Sequence, residues 1–294
     1  MQRFPLSTFG LLLTVIAGCA PFARAGSSPG IALNRDLHAI IRRHTGDAAE
    51  IAVAFRDLRT GDSLLINAHV PLHAASTMKV PVMLELFRRG ETGGTLPVRN
   101  SFVSIADGSS YSLSPADDSD TTLYARIGQQ VPVRELIDRM ITRSSNLATN
   151  LLIARADPAR IAATLQGIGA SGMRVLRGVE DNVAYTRGMN NTTSAYGLMR
   201  VMEAVAREGG EMVEILSRQE FREMIPAGVP PGTRVASKTG NITRINHDAA
   251  IVYPAGRDPY VLVVLTRGFT APKAAHAAGR EISARVYQSA SAKF

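Results

Sequence analysis

The sequence predicts an α+β protein of two lobes, in which a five-stranded antiparallel sheet is flanked by N- and C-terminal helices and carries an inserted all-α domain. Three observations predict this class: strand-like runs occur near both ends of the chain, helical patterns fill the middle, and a helical segment lies outside the strands at either end. With 294 residues, 45% of them hydrophobic and 20% charged, the chain can build a sizeable core.

The N-terminal part is predicted to contain a helix, two strands and a second helix. Apolar residues at helical spacing predict the first helix over residues 34–43. Strand-like runs follow at 51–58 and 63–68, and the Arg-Thr-Gly-Asp segment between them is typical of a hairpin turn. A helical pattern then covers residues 76–89.

The middle of the chain is predicted to be helical, with two irregular stretches. Residues 100–122 are rich in Ser, Asp and Gly, which indicates either a surface excursion or a disordered loop, and residues 176–191 show no regular pattern. The helical runs cover residues 133–142, 146–156, 158–168, 194–207 and 211–224.

Strand patterns return near the C-terminus, after a Pro- and Gly-rich break at 226–232. Three strands are predicted at 234–238, 249–253 and 260–266, and a closing helix at 274–289.

These elements predict how the chain divides between the two lobes. One lobe is expected to combine residues 31–90 with residues 231–294, because the strands of both ends must pair in one sheet. The all-α lobe is expected to span residues 91–230 and to include a loop of the omega type at 176–193.

The first 25 residues are predicted to be an export signal. Arg3 precedes an apolar run at 9–17 that is too short to span a bilayer and has the length of a secretory signal's apolar core. Two cleavage sites fit: a lipoprotein-type box at residues 16–19, ending in Cys19, and an ordinary signal-peptidase site at residues 23–25. We expect an exported protein, either periplasmic or lipid-anchored to the cell envelope through Cys19, its only cysteine.

The charge pattern and the histidines exclude several classes of partner and cofactor. The net charge is +8, but the basic residues are scattered and not interleaved with aromatic ones, so nucleic acid is not an expected partner. The six histidines show no metal-ligand spacing such as H-E-x-x-H, and no G-x-S-x-G elbow occurs. We therefore expect a monomer with a small-molecule partner, no metal and no cofactor.

Three short motifs carry side chains suited to nucleophilic catalysis. In chain order they are Ser76-Thr77-Met78-Lys79, Ser144-Ser145-Asn146 and Lys238-Thr239-Gly240. Ser76 and Lys79 are three residues apart on a predicted helix, so the amine can approach the hydroxyl. A serine becomes a good nucleophile when a base takes its proton, and a lysine beside a second cation can be partly neutral.

The third motif suits a carboxylate ligand. Glycine at position 240 lets the backbone come close to a bound molecule, while Lys238 and Thr239 offer it an ammonium and a hydroxyl. Taken singly, each motif also fits an ordinary helix cap or turn, so their occurrence together carries the argument.

The three ordered motifs resemble those of the class A β-lactamases and the related penicillin-recognising serine hydrolases. The likeness extends over roughly residues 33–290. Its further matching segments are Val133–Leu136, Ile141–Thr142, Leu147–Leu152, Asn191–Ser194 and Pro230–Ser237.

The resemblance implies a serine β-lactamase that hydrolyses β-lactam antibiotics through an acyl-enzyme on Ser76. Lys79 would be a base or proton relay, and Ser144 would pass a proton to the departing β-lactam nitrogen. A water activated by Glu180 would then release the product.

The same resemblance implies a set of substrate-binding groups. Asn146 would hold the side-chain amide of the substrate, and Lys238 and Thr239 would bind its carboxylate beside Gly240. The backbone N–H groups of Asn241 and of the nucleophile would form the oxyanion hole.

The chain departs from that family's pattern at several positions. Ser145 stands where the family usually has an aspartate, and we expect its loop to be looser. The omega-type loop is about two residues short, and position 184 is Ala where the family has an asparagine that holds the deacylating water. Glu180 could then be a surface carboxylate, and Arg244 and His247 are either further carboxylate contacts or ordinary polar strand residues.

These departures keep an alternative function open. Were Glu180 displaced from the site, the protein would acylate readily and deacylate slowly. It would then act as a D-Ala-D-Ala peptidase, with the cell-wall peptide as partner, or as a penicillin-binding or sensor protein.

Overall fold

The helices and strands follow the predicted order. The computed structural model describes residues 1–2, 29–46 and 48–291. Its helices are α1 (Pro29–Thr45), α2 (Lys79–Arg88), α3 (Val133–Thr142), α4 (Asn146–Ala156), α5 (Pro158–Gly167), α6 (Asn182–Thr186), α7 (Ala195–Glu208), α8 (Gly210–Ser217) and α9 (Pro272–Ser291). Its strands are β1 (Glu50–Asp57), β2 (Ser63–Ile66), β3 (Leu72–His73), β4 (Thr95–Pro97), β5 (Phe102–Val103), β6 (Ser110–Tyr111), β7 (Gln130–Pro132), β8 (Thr192–Thr193), β9 (Arg234–Ile242), β10 (Ile245–Tyr253) and β11 (Tyr260–Arg267).

The main sheet takes strands from both ends of the chain. Its order is β2-β1-β11-β10-β9, and every neighbouring pair is antiparallel. β1 pairs along its whole length with β11, from Glu50 opposite Arg267 to Asp57 opposite Tyr260. The predicted five-stranded antiparallel sheet and the α+β class are confirmed.

The two faces of the sheet belong to different cores, because side chains alternate along each strand. In β1, Ala52 and Ala54 join the larger core that holds the helical middle of the chain, including Met83 of α2 and Leu198 of α7. Val53, on the opposite face, joins the smaller core under α1 and α9. The sheet is therefore covered on both faces, and β9 is the edge strand that borders the helical side.

Strands β9 and β10 are longer than predicted. The sequence indicated 234–238 and 249–253, but the pairing continues to Ile242 opposite Ile245, where a two-residue turn with Arg244 at a φ of 61° reverses the chain. The predicted end of this strand at residue 238, within the Lys238-Thr239-Gly240 motif, is therefore wrong. Ladder hydrogen bonds to β10 extend the strand past the motif and fix all three residues in regular backbone.

The helix predicted at 211–224 is also wrong in its C-terminal half, because α8 ends at Ser217. Gln219 stops it: its buried amide donates to the carbonyl of Ile141 at 2.8 Å and accepts the N–H of Phe221 at 3.1 Å. A side chain that takes over backbone partners in this way competes with continuation of a helix.

Residues 100–122 form a structured excursion. They hold the β5–β6 hairpin and a 3-10 helix at Pro115–Asp117. The Asn100 side chain bridges to the backbone of Leu113, which closes the base of the excursion. Of the two predicted alternatives, the disordered loop is wrong, and residues 176–191 likewise include the short helix α6.

Several predictions concern the N-terminal segment before α1. The export signal, the lipoprotein box at 16–19 and Cys19 lie outside the described residues. Within the described ranges, no helix combines the length and apolar character needed to cross a membrane. The predicted boundaries of the two lobes stay predictions.

Candidate active site

A cleft of about 400 Å³ opens where β9, the N-terminal approach to α2 and the omega-type loop meet. Four predicted site residues line it: Ser76, Asn146, Glu180 and Asn241. The other predicted site residues are buried around it, namely Lys79, Ser144, Lys238, Thr239 and Gly240. The structure thus brings together in one region residues that are up to 165 positions apart in the chain, as Ser76 and Asn241 are.

The candidate nucleophile lies in a strained turn that leads into α2. A 3-10 helix spans Ala75–Met78, and Ala75 has a φ of 45°, in the left-handed region that costs a non-glycine residue about 1–3 kcal/mol. The turn is held by the N–H of Ala75, which donates to Nδ1 of His73 at 3.0 Å. Ser76 is half-buried at the cleft, and its hydroxyl makes no hydrogen bond to any described residue.

Gly240 allows β9 to run directly against this turn. A Cβ atom at position 240 would lie 3.0 Å from the backbone nitrogen of Ser76 and 2.9 Å from that of Thr77. Because both atoms belong to the backbone, they cannot rotate away. Glycine is therefore required here for a close approach between backbones, and its φ is not in the left-handed region.

Two buried lysines meet at the hydroxyl of Ser144. Lys238 Nζ donates to Ser144 Oγ at 3.0 Å, and Lys79 Nζ lies 3.2 Å from the same oxygen. Lys79 also donates to the Ser144 carbonyl at 2.6 Å. Ser144 has a φ of 59°, so its turn, like that of Ser76, is strained. A hydroxyl in this position can relay a proton between two nitrogens.

Burial lowers the pKa of both lysines. For Lys79 the loss of hydration lowers the pKa to about 7, although the nearby carboxylates of Asp118 and Glu180 oppose the shift. For Lys238 the pKa falls well below its ordinary value, because burial and the charge of Lys79 both act against the ammonium. At neutral pH this pair includes an amine able to accept a proton.

Asn146 connects this lysine pair to Glu180. Its Oδ1 accepts from Lys79 Nζ at 2.9 Å, and its Nδ2 donates to Glu180 Oε1 at 2.8 Å. Burial raises the pKa of Glu180, although the hydrogen bond from Asn146 opposes the shift. A carboxylate with a raised pKa is a better proton acceptor than an exposed one.

The omega-type loop presents Glu180 to the cleft. Asn150 of α4 accepts the N–H of Val179 at 2.7 Å and donates to its carbonyl at 3.0 Å, and Glu180 then adopts a φ of 61°. The second carboxylate oxygen of Glu180 accepts the N–H of Ser114 at 3.3 Å. Ala184 is buried and offers no polar side chain toward Glu180.

The side chains of Arg244 and His247 form hydrogen bonds with backbone groups at and beside the main sheet. His247 Nδ1 accepts the N–H of Thr266 at 3.1 Å, so its Nε2 carries the proton and donates to the carbonyl of His73 at 3.0 Å. Arg244 donates to the carbonyl of Gly268 at 3.1 Å. Neither residue lines the cleft.

Sequence reasoning missed three residues that hold the site. Asp118 binds the first turn of α4, Asn150 fixes Val179, and Arg177 donates to the carbonyl of Met189 across the neck of the omega-type loop. Asn150 follows Asn146 by four residues and shares its helix face, a signal that was available. No sequence signal marked Asp118, which lies in the Ser- and Asp-rich excursion.

Ser145, which stands where the family usually has an aspartate, is the N-cap residue of α4. Its hydroxyl caps α4 by accepting the N–H of Ala148 at 3.3 Å, and the residue is fully buried. The loop is thus held by the cap and by Asp118, and the expectation that it is looser than in the family stays a prediction.

Comparison with known proteins gives a consistent result over nearly the whole chain. The sequence profile of the β-lactamase enzyme family matches residues 32–290. A β-lactamase of Streptomyces fradiae is 27% identical over 281 residues, which cover 92% of this chain and 90% of the relative. The Escherichia coli β-lactamase Toho-2 is 25% identical over 276 residues, or 89% of this chain and 90% of the relative.

The fold is shared with solved structures as well. The structure of PBP-A superposes with a TM-score of 0.72 at 24% identity, covering 88% of this chain and 96% of PBP-A. At this identity the superposition establishes a shared fold and nothing about activity. The family profile spans far more than half of the sequence, and on that ground the chain belongs to the β-lactamase enzyme family.

Proposed function

We propose that this protein is a serine β-lactamase of the class A kind, which hydrolyses β-lactams through an acyl-enzyme on Ser76. One observation carries the proposal: Lys79 and Lys238 converge on the hydroxyl of Ser144 beside the cleft that exposes Ser76. The family to which the chain belongs supports the same substrate class.

The acylation step needs a proton acceptor and a proton donor, and the lysine pair with Ser144 supplies both. The hydroxyl oxygen of Ser76 attacks the β-lactam carbonyl carbon, while neutral Lys79 takes the hydroxyl proton. Collapse of the tetrahedral intermediate breaks the carbon–nitrogen bond of the ring. Ser144 donates its proton to the departing nitrogen and regains one from a lysine, 3.0 to 3.2 Å away.

The substrate is oriented by groups along β9 and the first turn of α4. The carboxylate of the β-lactam binds Lys238 and Thr239, and the side-chain amide binds Asn146. The N–H groups of Ser76 and Asn241 stabilise the oxyanion, and Gly240 permits the close approach of β9 to the backbone of Ser76.

Deacylation is proposed to use Glu180 as general base. Its raised pKa and its place in the wall of the cleft suit removal of a proton from a water that attacks the ester carbonyl. The proton returns to Ser76 when the ester bond breaks, and the hydrolysed product leaves.

A slow-deacylating protein is the second candidate, and the contacts of Glu180 favour it. Both carboxylate oxygens already accept hydrogen bonds, from Asn146 and Ser114, and Ala184 adds no side chain that could hold a water. Such a site would acylate and then retain the adduct, as a D-Ala-D-Ala peptidase or a penicillin sensor would with a β-lactam.

Intact-mass measurement with nitrocefin and benzylpenicillin separates the candidates. The β-lactamase proposal expects hydrolysis and rapid return to the unmodified mass, with a stable adduct only in Glu180→Gln. A long-lived adduct in the unaltered protein favours the second candidate, with Ser76→Ala as the control that forms no adduct. Neither hydrolysis nor adduct would refute both.

We further propose that the protein is exported and acts as a monomer in the periplasm or on the envelope, where it would protect the cell wall from β-lactams. The apolar run at 9–17 supports export. Mass spectrometry of the mature N-terminus distinguishes a lipidated Cys19 from cleavage after Ala25, and Cys19→Ala should release the protein from membranes only in the first case.

A further inference from the structure

A buried carboxylate from the excursion reaches the N-terminus of α4. Both oxygens of Asp118 lie 2.9 Å from the N–H of Asn146, and one of them also accepts the N–H of Leu147 at 2.9 Å. The cap residue, Ser145, satisfies only the N–H of Ala148, at 3.3 Å. Asp118 therefore binds the two N–H groups that the cap leaves open.

The other contacts of Asp118 show that it is built into this position. It is 7% exposed and accepts two further hydrogen bonds, from the N–H of Asp120 at 3.0 Å and the hydroxyl of Tyr124 at 3.1 Å. Asp120, two residues later, pairs instead with Arg139 at 2.9 Å. None of the ion pairs among the described residues includes Asp118, so its direct positive partner is the N-terminus of α4. Its charge also favours the ammonium of the nearby Lys79.

The residue that Asp118 holds is the one that joins the two halves of the active site. The side chain of Asn146 contacts Lys79 at 2.9 Å on one side and Glu180 at 2.8 Å on the other. Among residues 29–46 and 48–291, Asp118 alone accepts the backbone N–H of Asn146. A displacement of this backbone would move the amide away from both partners at once.

We propose that Asp118 is a positioning residue that fixes Asn146 between Lys79 and Glu180, and so supports catalysis from a loop outside the three motifs. The expected change in acylation rate rests on the proposed function, whereas the expected change in the stability of the first turn of α4 does not. Asp118 touches no reacting atom, and it acts through the first turn of α4.

The test compares Asp118→Asn with Asp120→Asn. Both variants remove one buried carboxylate from the same segment, but only the first alters contacts to α4. We expect Asp118→Asn to slow acylation by nitrocefin at least about tenfold, because the amide has one oxygen acceptor and its NH₂ group would face backbone N–H donors that the carboxylate now accepts. Asp120→Asn should acylate within about twofold of the rate of the unaltered protein, even if its melting temperature falls as far as that of Asp118→Asn.

Hydrogen exchange supplies a readout that does not depend on activity. Amide exchange in the peptide 144–150 should accelerate in Asp118→Asn and not in Asp120→Asn. Should the unaltered protein fail to react with any β-lactam, this comparison still decides the positioning role, and the proposed function fails separately. Equal exchange and equal acylation in the two folded variants would refute the inference.

A second variant guards against misfolding of Asp118→Asn. In Ser145→Asp, a new carboxylate at the cap would lie beside that of Asp118 at the same helix N-terminus, so the two should repel each other. Asp118→Asn should then raise the acylation rate or the melting temperature in the Ser145→Asp background. If it lowers both there as well, Asp118 does not act through the first turn of α4.

Discussion

His247 should make the protein sensitive to acid in a measurable way. The ring is fully buried, accepts the N–H of Thr266 and donates to the carbonyl of His73, three residues before Ser76. Burial lowers the pKa of His247 from 6.5 to about 4. In the unfolded chain the imidazole takes up a proton near pH 6.5, whereas in the folded protein it stays neutral down to about pH 4.

The size of the effect follows from that difference. Because the unfolded state binds the proton first, the contribution of His247 is present above pH 6.5 and is lost as the pH falls toward 4. For these two pKa values, the free energy of unfolding should drop by about 2 kcal/mol between pH 7 and pH 4.5 through this one group.

Urea unfolding of the unaltered protein and of His247→Gln at a series of pH values isolates this contribution. Glutamine can still donate to His73 but cannot titrate, so the variant should be less stable than the unaltered protein at pH 7. The difference in free energy of unfolding between the two proteins should then shrink by about 2 kcal/mol toward pH 4.5, since any other titrating group contributes equally to both. His69→Gln, at an exposed ring, is the matched control and should keep the original pH dependence. Parallel pH curves for His247→Gln and the unaltered protein would refute the reasoning.

Three further predictions follow from the same structure. Gly240→Ala would force a Cβ against the backbone nitrogens of Ser76 and Thr77, at 3.0 and 2.9 Å, so acylation should slow by about 10- to 100-fold, as stopped-flow rates with nitrocefin would test. The acylation rate should rise with pH around 7, as Lys79 loses its proton. The negative charges of Glu180 and Asp118 favour the ammonium of Lys79, whereas the neighbouring Lys238 disfavours it. Glu180→Gln removes one of the two negative charges, so it should shift the midpoint of the pH profile to lower pH. Burial raises the pKa of Asp248 from 3.8 to about 7, so between these values the folded state holds a proton that the unfolded chain releases. The free energy of unfolding should therefore fall, through this group, by at most about 4 kcal/mol as the pH rises through this range, and urea unfolding of Asp248→Asn should lack that fall.

Sequence patterns predicted those helices and strands whose bounds are set by the apolar residues of the segment itself. The continuous apolar runs of β1 and β11, which are buried on both faces of the sheet, and the apolar spacing of α3 and α7 follow directly from which side chains face a core. Each of these elements was predicted to within a few residues. The elements that were wrong depend on distant partners. β9 extends past Gly240 because β10 pairs with it, and α8 stops at Ser217 because Gln219 finds the carbonyl of Ile141, 78 residues earlier.

The candidate site divides in the same way. Motif order was enough to select Ser76, Lys79, Ser144 and Lys238, because their chemistry is carried by residue type. The support of the site was not predictable, since Asp118 acts through two backbone N–H groups that any sequence would have offered. Recognition of such a residue requires the fold that brings the excursion to α4.

The chemistry of the site depends on the polarity of one amide. Asn146 presents its oxygen to the ammonium of Lys79 and its nitrogen to the carboxylate of Glu180, an orientation that the two charges impose on each other. The residue proposed for acylation and the residue proposed for deacylation are therefore coupled: a change in the charge of either alters the hydrogen bond that holds the other. Acylation, as proposed, needs this amide in place but needs no water at Glu180. A protein with a well-placed amide and a poorly held water would therefore acylate at full rate. For this chain, the choice between the two proposed functions depends on whether Glu180, already bound by Asn146 and Ser114, can also accept a proton from a water at the ester.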